Sequence, residues 1–215
     1  MKRTLIVLAL LAAFQVADAQ SNVNSAAKAV ESALSASQNA KKATKVATWL
    51  KLAQAYIDAY SAPSGSVWIG ADMNAVQLSM GGEKPSSVEN VTLNGAQYVK
   101  QIYDNKNLYF NANGQLEVIE VTKPVVENAL PKALEAFKKA YEVDAKHSKD
   151  NDIIAGIKSV AEKLNQEAYY AYTLGDVKKA ESLFEDAVEA AAQKPYEKID
   201  TNSLYNAAFT AWSCQ

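Results

Sequence analysis

Apolar residues recur at intervals of three and four along two long stretches of the chain, residues 23–62 and 124–215. Both stretches are rich in Ala, Lys, Glu and Leu, and this composition and periodicity predict amphipathic helices. Residues 63–122 differ, because they hold six of the eight Gly together with runs of β-branched and aromatic residues. The hydrophobic pattern therefore predicts helices, then a β region, then helices again.

The β region contains four short runs typical of strands, at 88–94, 96–103, 106–111 and 115–122. Asn113-Gly114, the strongest short hairpin signal, separates the last two runs. These features predict an antiparallel meander. Nine apolar residues are predicted to lie largely on one of its faces: Val91, Leu93, Tyr98, Ile102, Leu108, Phe110, Leu116, Val118 and Val121. Because so small a sheet needs a cover, we expect a structural role against the helices, with a projecting recognition module as the alternative.

The second helical stretch contains small residues where two antiparallel helices must approach closely. In the run from Ala168 to Ala187, Ala168 and Ala180 occupy such positions, and Phe184 and Ala187 fall on the packing face of the second helix. Gly175-Asp176 lies at the turn between the two helices. This run resembles a tetratricopeptide repeat (TPR), a helix pair that stacks with its neighbours into an array.

The same spacing recurs in the first helical stretch. Four residues match the first helix of a TPR: Trp49, Leu52, Ala53 and Tyr56. The matching second helix lies only at 133–144, where three residues repeat the spacing of the later second helix: Ala133, Phe137 and Ala140. The resemblance implies a first repeat that has been opened at its turn by an insertion. It predicts that helix 46–60 packs against helix 131–143.

The end of the chain resembles a further first helix. Residues 200–215 begin with Asp200 as an N-cap and carry Leu204 and Ala208 in the large and small positions of that helix. The second helix of this repeat would lie beyond the chain end, so we expect truncation of a longer protein, with an apolar capping helix as the alternative. Leu204, Ala208 and Ala211 are predicted to pack on the preceding repeat. An open repeat is also predicted to self-associate.

Together these patterns predict a mainly α fold, a TPR-like antiparallel helix-pair array with a small β-meander insertion. Residues 20–60 would form a leading helix and the first helix of repeat 1, and residues 61–130 the β-rich insert. Residues 131–215 would form the second helix of repeat 1, repeat 2 and the first helix of repeat 3. Residues 1–19 are predicted to be a signal peptide.

The signal peptide is predicted from the order of its residues. Lys2 and Arg3 precede the apolar run Leu5–Phe14, and Ala17-Asp18-Ala19 forms an A-x-A cleavage site, with cleavage expected after Ala19. The apolar run is too short for a permanent membrane helix. We therefore expect a periplasmic or secreted protein with no transmembrane segment in the mature chain. The resemblance to signal-bearing TPR proteins implies the envelope of a Gram-negative bacterium.

Charge and motifs argue against several classes of function. The net charge of −2 gives no basic surface for nucleic acid. Cys214 is the only cysteine, so no intramolecular disulfide can form, and the single His147 has no nearby His or Cys to complete a metal site. Because no phosphate loop, nucleophile elbow or zinc motif is present, we expect no enzymatic activity, no cofactor and no metal. The alternative enzyme hypothesis uses Glu117 and Glu120.

The inner face of first helices forms the binding groove in repeat arrays, and here that face is aromatic. Six residues are predicted to line it: Asn165, Tyr169, Tyr172, Tyr205, Phe209 and Trp212. Tyr and Trp give large contact areas at low entropy cost, so we expect an exported scaffold that binds a protein or peptide partner in the envelope. Alternatives are rings that pack against one another and against the next repeats or the insert, a glycan-binding accessory protein that uses Trp68 and Tyr109, or the non-catalytic N-terminal part of a larger envelope enzyme.

Overall fold

The computed structural model describes residues 22–213, and the predicted signal peptide and Cys214 lie outside this range. Within it the chain forms seven helices and four strands. Helix α1 spans residues 22–38, and the other elements follow in chain order: α2 Val46–Ser61, α3 Met73–Ser79, β1 Ser87–Leu93, β2 Ala96–Ile102, β3 Lys106–Phe110, β4 Leu116–Val121, α4 Ala129–Val143, α5 Asp150–Thr173, α6 Val177–Ala192 and α7 Thr201–Ser213. The predicted order of helices, sheet and helices is confirmed, and the fold is mixed α and β.

The described chain divides into two compact parts. Residues 22–26 and 61–125 form one part, and its segment 61–125, which we call the sheet unit, contains α3 and all four strands. Residues 27–60 and 126–213, which we call the helical unit, contain most of α1 together with α2 and α4 to α7. Along the chain, the sheet unit therefore lies between the two segments that form the helical unit.

The sheet unit is an antiparallel meander in the order β1-β2-β3-β4. Each strand begins and ends within about one residue of its predicted limits, but the prediction of a single apolar face is wrong. Val99 pairs with Phe110, whereas Tyr98 pairs with Val91 on the other face of the sheet. A shift in register beside Phe110, where it pairs with Leu116, adds a further change in the alternation. The apolar residues are therefore shared between both faces.

A short helix that the sequence does not reveal covers one face of this sheet. Helix α3 begins after Asp72, whose side chain accepts a hydrogen bond from the backbone N–H of Ala75 at 2.9 Å. Val76 of α3 packs with Leu108 and Phe110 in the hydrophobic core of the sheet unit. This core also contains Ala71, Tyr103 and Leu116. The sheet unit therefore supplies part of its own cover.

In the helical unit, α5 and α6 form the predicted antiparallel hairpin. Gly175 has a φ of 87°, a left-handed conformation that favours glycine, and Asp176 accepts a hydrogen bond from the backbone N–H of Lys179 at 3.1 Å. Ala168, Ala180 and Phe184 are buried together in one cluster, as the repeat spacing predicts, and Ala207 of α7 joins them. Helices α5, α6 and α7 therefore share a core.

The predicted close packing of α2 on α4 is not seen. Their backbones lack the extended approach that α5 makes to α6 and to α4. The ring of Phe137 instead lies against Gly156 of α5, where an added Cβ would stand 2.0 Å from the ring atom Cζ. Glycine leaves the gap that the ring fills, so α4 directs its aromatic side chain to α5. Residues of α2 and α4 line a shared cavity instead.

The C-terminal end of α2 approaches α5. The Lys163 ammonium lies 5.7 Å from the centre of the Tyr60 ring, within the range of a cation–π contact. Burial, with a smaller contribution from Glu167, raises the pKa of Tyr60 above its ordinary value. The α2 helix is thus held by an aromatic contact at one end and opens toward a cavity along its face.

Candidate functional site: an aromatic surface on α5 and α7

Helix α7 is fixed on the α5–α6 hairpin by small and hydroxyl-bearing residues. Asp200 is its N-cap as predicted, since its side chain accepts a hydrogen bond from the backbone N–H of Ser203 at 3.1 Å. The buried residues of α7 are Ser203, Ala207 and Thr210. The predicted packing stripe is therefore wrong by one position, and its three residues line an open groove beside α6 instead: Leu204, Ala208 and Ala211.

This rotation of α7 leaves its large rings at the surface. The ring centres of Tyr172 and Phe209 are 6.3 Å apart, and those of Phe209 and Trp212 are 6.5 Å apart. In both pairs, the two rings are close enough for a favourable tilted contact. A continuous line of rings therefore connects α5 to the C-terminal turn of α7.

All five predicted aromatic residues are exposed, and we call them the aromatic surface: Tyr169, Tyr172, Tyr205, Phe209 and Trp212. Trp212 and Tyr205 are 72% and 70% exposed, and Tyr172 is 37% exposed. Monomeric proteins keep most large rings buried, and contiguous apolar patches at the surface mark interaction sites. The aromatic surface therefore has the exposure that a binding site requires.

Tyr169 is held more firmly than its neighbours. Its ring meets Phe184 edge to face at 5.2 Å, and its hydroxyl accepts a hydrogen bond from Asn206 Nδ2 at 2.8 Å. Sequence reasoning missed Asn206, although its position beside Tyr205 and three residues before Phe209 places it next to the rings. These two contacts limit the side-chain entropy that Tyr169 would lose on binding.

Asn165, the one predicted groove residue without a ring, lies between the helices. Its Nδ2 donates to Ser203 Oγ at 2.7 Å, and Ser203 Oγ donates to Asp200 Oδ2 at 2.7 Å. Asn165 Oδ1 is buried and has no hydrogen-bond partner in the described part of the chain. The side-chain amide of Asn165 therefore links α5 to the start of α7, whereas the five rings of the aromatic surface are exposed.

The residues of the two alternative hypotheses lie in the sheet unit. Trp68 is 53% exposed, but Tyr109 is only 4% exposed and donates its hydroxyl to Glu120 at 2.6 Å, so Tyr109 does not offer an open face for a sugar. Glu117 accepts hydrogen bonds from Tyr98 at 2.8 Å and from Asn111 at 3.0 Å. Each carboxylate of the enzyme hypothesis is thus held by a tyrosine and an asparagine, because Asn107 also donates to Glu120.

This arrangement predicts an alkaline limit to stability. Burial first, and then the hydrogen bond and negative charge of Glu117, raise the pKa of Tyr98 from 10.0 to about 12. The stabilising effect of the protonated phenol is complete below pH 10 and is lost as the pH rises toward 12. We expect Tyr98→Phe to reduce the fall in unfolding free energy over this interval. Denaturant titrations at several pH values, with tyrosinate absorbance, measure it, and an unchanged slope would contradict the assignment.

Comparisons with protein families, curated proteins and solved structures found no match for this chain. No helix within residues 22–213 is long and apolar enough to cross a membrane. In the same residues, no group of three or more His, Cys, Asp or Glu side chains is placed to hold a metal ion. The exposed and adjacent rings of α5 and α7 are what make the aromatic surface a candidate functional site.

Proposed function

We propose that the helical unit is a TPR-like module that binds a protein or peptide segment along the aromatic surface. The observation that carries this proposal is the exposure of five large rings contributed by two helices that share one core. Binding surfaces are enriched in Tyr and Trp because these side chains bury large areas while losing few rotatable bonds. The rings of α5 and α7 are large, and their side chains have few rotatable bonds.

A polypeptide partner suits this surface better than a small ligand does. The line from Tyr172 through Phe209 to Trp212 is open along its length and can contact several residues of an extended segment. The hydroxyls of Tyr169 and Tyr205 supply polar atoms for the backbone of such a segment. The described rings thus combine apolar contact with hydrogen bonding at the surface.

The setting that we propose for this binding is the cell envelope. The charged start, apolar run and A-x-A site of residues 1–19 favour export, and the resemblance of the α5–α6 hairpin to a TPR favours an array of such pairs. The chain would then act as an exported scaffold without enzymatic activity of its own.

Peptides selected from a displayed random library against the purified mature protein test the proposal. We expect Tyr172→Ala and Trp212→Ala each to weaken the binding of a selected, fluorescently labelled peptide by tenfold or more, as removal of an anchor of about 2 kcal/mol would. Fluorescence anisotropy measures the dissociation constant. Circular dichroism checks that each variant keeps its helices.

Trp68→Ala is the matched control, because Trp68 is another exposed tryptophan but belongs to the sheet unit. It should leave peptide affinity unchanged. A loss of affinity in the control equal to that of Trp212→Ala would contradict the proposed site. Retention of the protein on polysaccharide, with no peptide selected, would support the glycan alternative instead.

A further inference from the structure

The space between α2 and α4 is a defined cavity of about 440 Å³. The apolar part of its lining, which we call the floor, includes Leu52 and Tyr56 of α2, Leu134 of α4 and Leu164 of α5. Trp49 also lines the cavity, and its Nε1 donates to the carbonyl oxygen of Ala43 at 2.8 Å. Cavities of this volume with fixed aromatic walls are typical of small-molecule sites.

The rim of this cavity carries a net negative charge. Asp186 and Glu189 of α6 lie on it, and within the described residues neither carboxylate forms a hydrogen bond or an ion pair. Lys132 is a cation on the rim, and within the described residues it forms no ion pair. Two carboxylates against one ammonium leave a net negative rim.

The remaining charged residues of the rim compensate one another. Glu135 accepts from Lys138 at 2.8 Å, and Lys139 donates to Glu142 at 2.6 Å. The charge of Glu189 also contributes to raising the pKa of Lys138, so Lys138 partly balances Glu189, and Asp186 is the α6 carboxylate that these cations leave uncompensated. Burial first, and then the charges of Glu189 and Glu185, raise the pKa of the Asp186 carboxyl, as expected of a carboxylate that lacks a cation.

We propose that this cavity binds a small organic cation, an alkyl- or arylammonium ion whose apolar body fills the floor and whose ammonium group pairs with Asp186. Three features of the cavity select this class. The apolar floor disfavours ligands that are polar throughout, the net negative rim disfavours anions, and Trp49 and Tyr56 in the lining are residue types that attract cations through their ring quadrupoles. The aromatic surface on α5 and α7 takes no part in this site.

Isothermal titration calorimetry with 2-phenylethylammonium, and with the neutral 2-phenylethanol of similar shape, tests the proposal on the mature protein. We expect the ammonium ion to bind at least tenfold more tightly than the alcohol, because only the cation gains a charge-assisted hydrogen bond. Asp186→Asn should weaken binding of the ammonium ion about tenfold and leave the alcohol unaffected. Tryptophan emission should also change during the titration of the wild-type protein, because Trp49 lines the cavity.

Glu181→Gln is the matched control, because Glu181 is an acidic residue on the same helix that does not line the cavity. It should bind 2-phenylethylammonium like the wild type. Equal affinities for the ammonium ion and the alcohol would overturn the proposal, as would an Asp186→Asn variant with unchanged affinity. Failure of the ammonium ion to bind up to its solubility limit would overturn it as well.

Discussion

Replacing Phe137 with alanine is expected to lower the free energy of unfolding of the helical unit by about 3–5 kcal/mol. Phe137 is only 3% exposed, and its ring occupies the space beside Gly156 where α4 and α5 approach. Removing the ring leaves a void that the neighbouring backbone of α5 cannot fill. Urea unfolding followed by helical circular dichroism measures the change.

The contact between Phe137 and Gly156 makes this prediction specific, because it requires the two positions to be coupled. Gly156→Ala alone should cost about 1–3 kcal/mol by overpacking, since its Cβ would stand 2.0 Å from the ring. In a Phe137→Ala background the same change should cost little or should stabilise, because the ring is gone. The double-mutant cycle would then give a large interaction energy.

Lys158→Ala is the control for this cycle. Lys158 lies on α5 close to Gly156, and its contact with Glu162 is an exposed ion pair at 3.7 Å, so its loss should change stability by less than about 0.5 kcal/mol. Additive effects of Phe137→Ala and Gly156→Ala would show that the ring does not rest on α5. The pairing of α4 with α5 described above would then be wrong.

Local sequence patterns predicted the elements whose formation depends on near neighbours. The limits of β1 to β4 follow from alternation and from turns such as Asn113-Gly114, and the α5–α6 hairpin follows from Gly175 and the N-cap Asp176. Helix α3 escaped prediction because its seven residues are too few for a periodic pattern to emerge. Its existence depends on the cap at Asp72 and on burial of Val76 against the sheet.

Long-range packing explains the predictions that failed. The spacing on α2 and α4 shows that each helix has an apolar face, but it does not say which helix that face meets, and Phe137 meets Gly156 of α5. The sheet faces were misassigned because the alternation from one strand to the next depends on register, and a bulge shifts the register between Tyr109 and Phe110. Neither fact can be read from local periodicity.

At the candidate site, too, one prediction was correct and another was wrong. The spacing of Tyr205, Phe209 and Trp212 predicted rings on one face of a helix, and the structure places them at the surface beside Tyr172. The neighbouring stripe was misplaced by one residue, since Ser203, Ala207 and Thr210 pack on the hairpin. Small and hydroxyl-bearing residues give a weak hydrophobic signal, so the pattern favoured the more apolar stripe that includes Leu204.

A second large effect is expected in the sheet unit, where Phe110→Ala should cost about 3–5 kcal/mol of local stability. Phe110 is fully buried on β3 and packs with Val76 of α3 in the core of this unit. Without the ring, α3 loses the surface on which it folds, and a seven-residue helix has little stability of its own. The amides of α3 and of β2 to β4 should therefore exchange faster.

Hydrogen exchange resolved by residue or by peptide shows which amides lose protection in the Phe110→Ala variant. Because the sheet unit has its own core, we expect exchange to accelerate there while the amides of α5 and α6 keep their wild-type protection. Val88→Ala on β1 is the control, since Val88 is 57% exposed and its truncation should change stability by less than about 0.5 kcal/mol. Equal acceleration in α5 and in the sheet would mean that both units unfold in one cooperative step, and the sheet unit would then be part of the folding core of the whole chain.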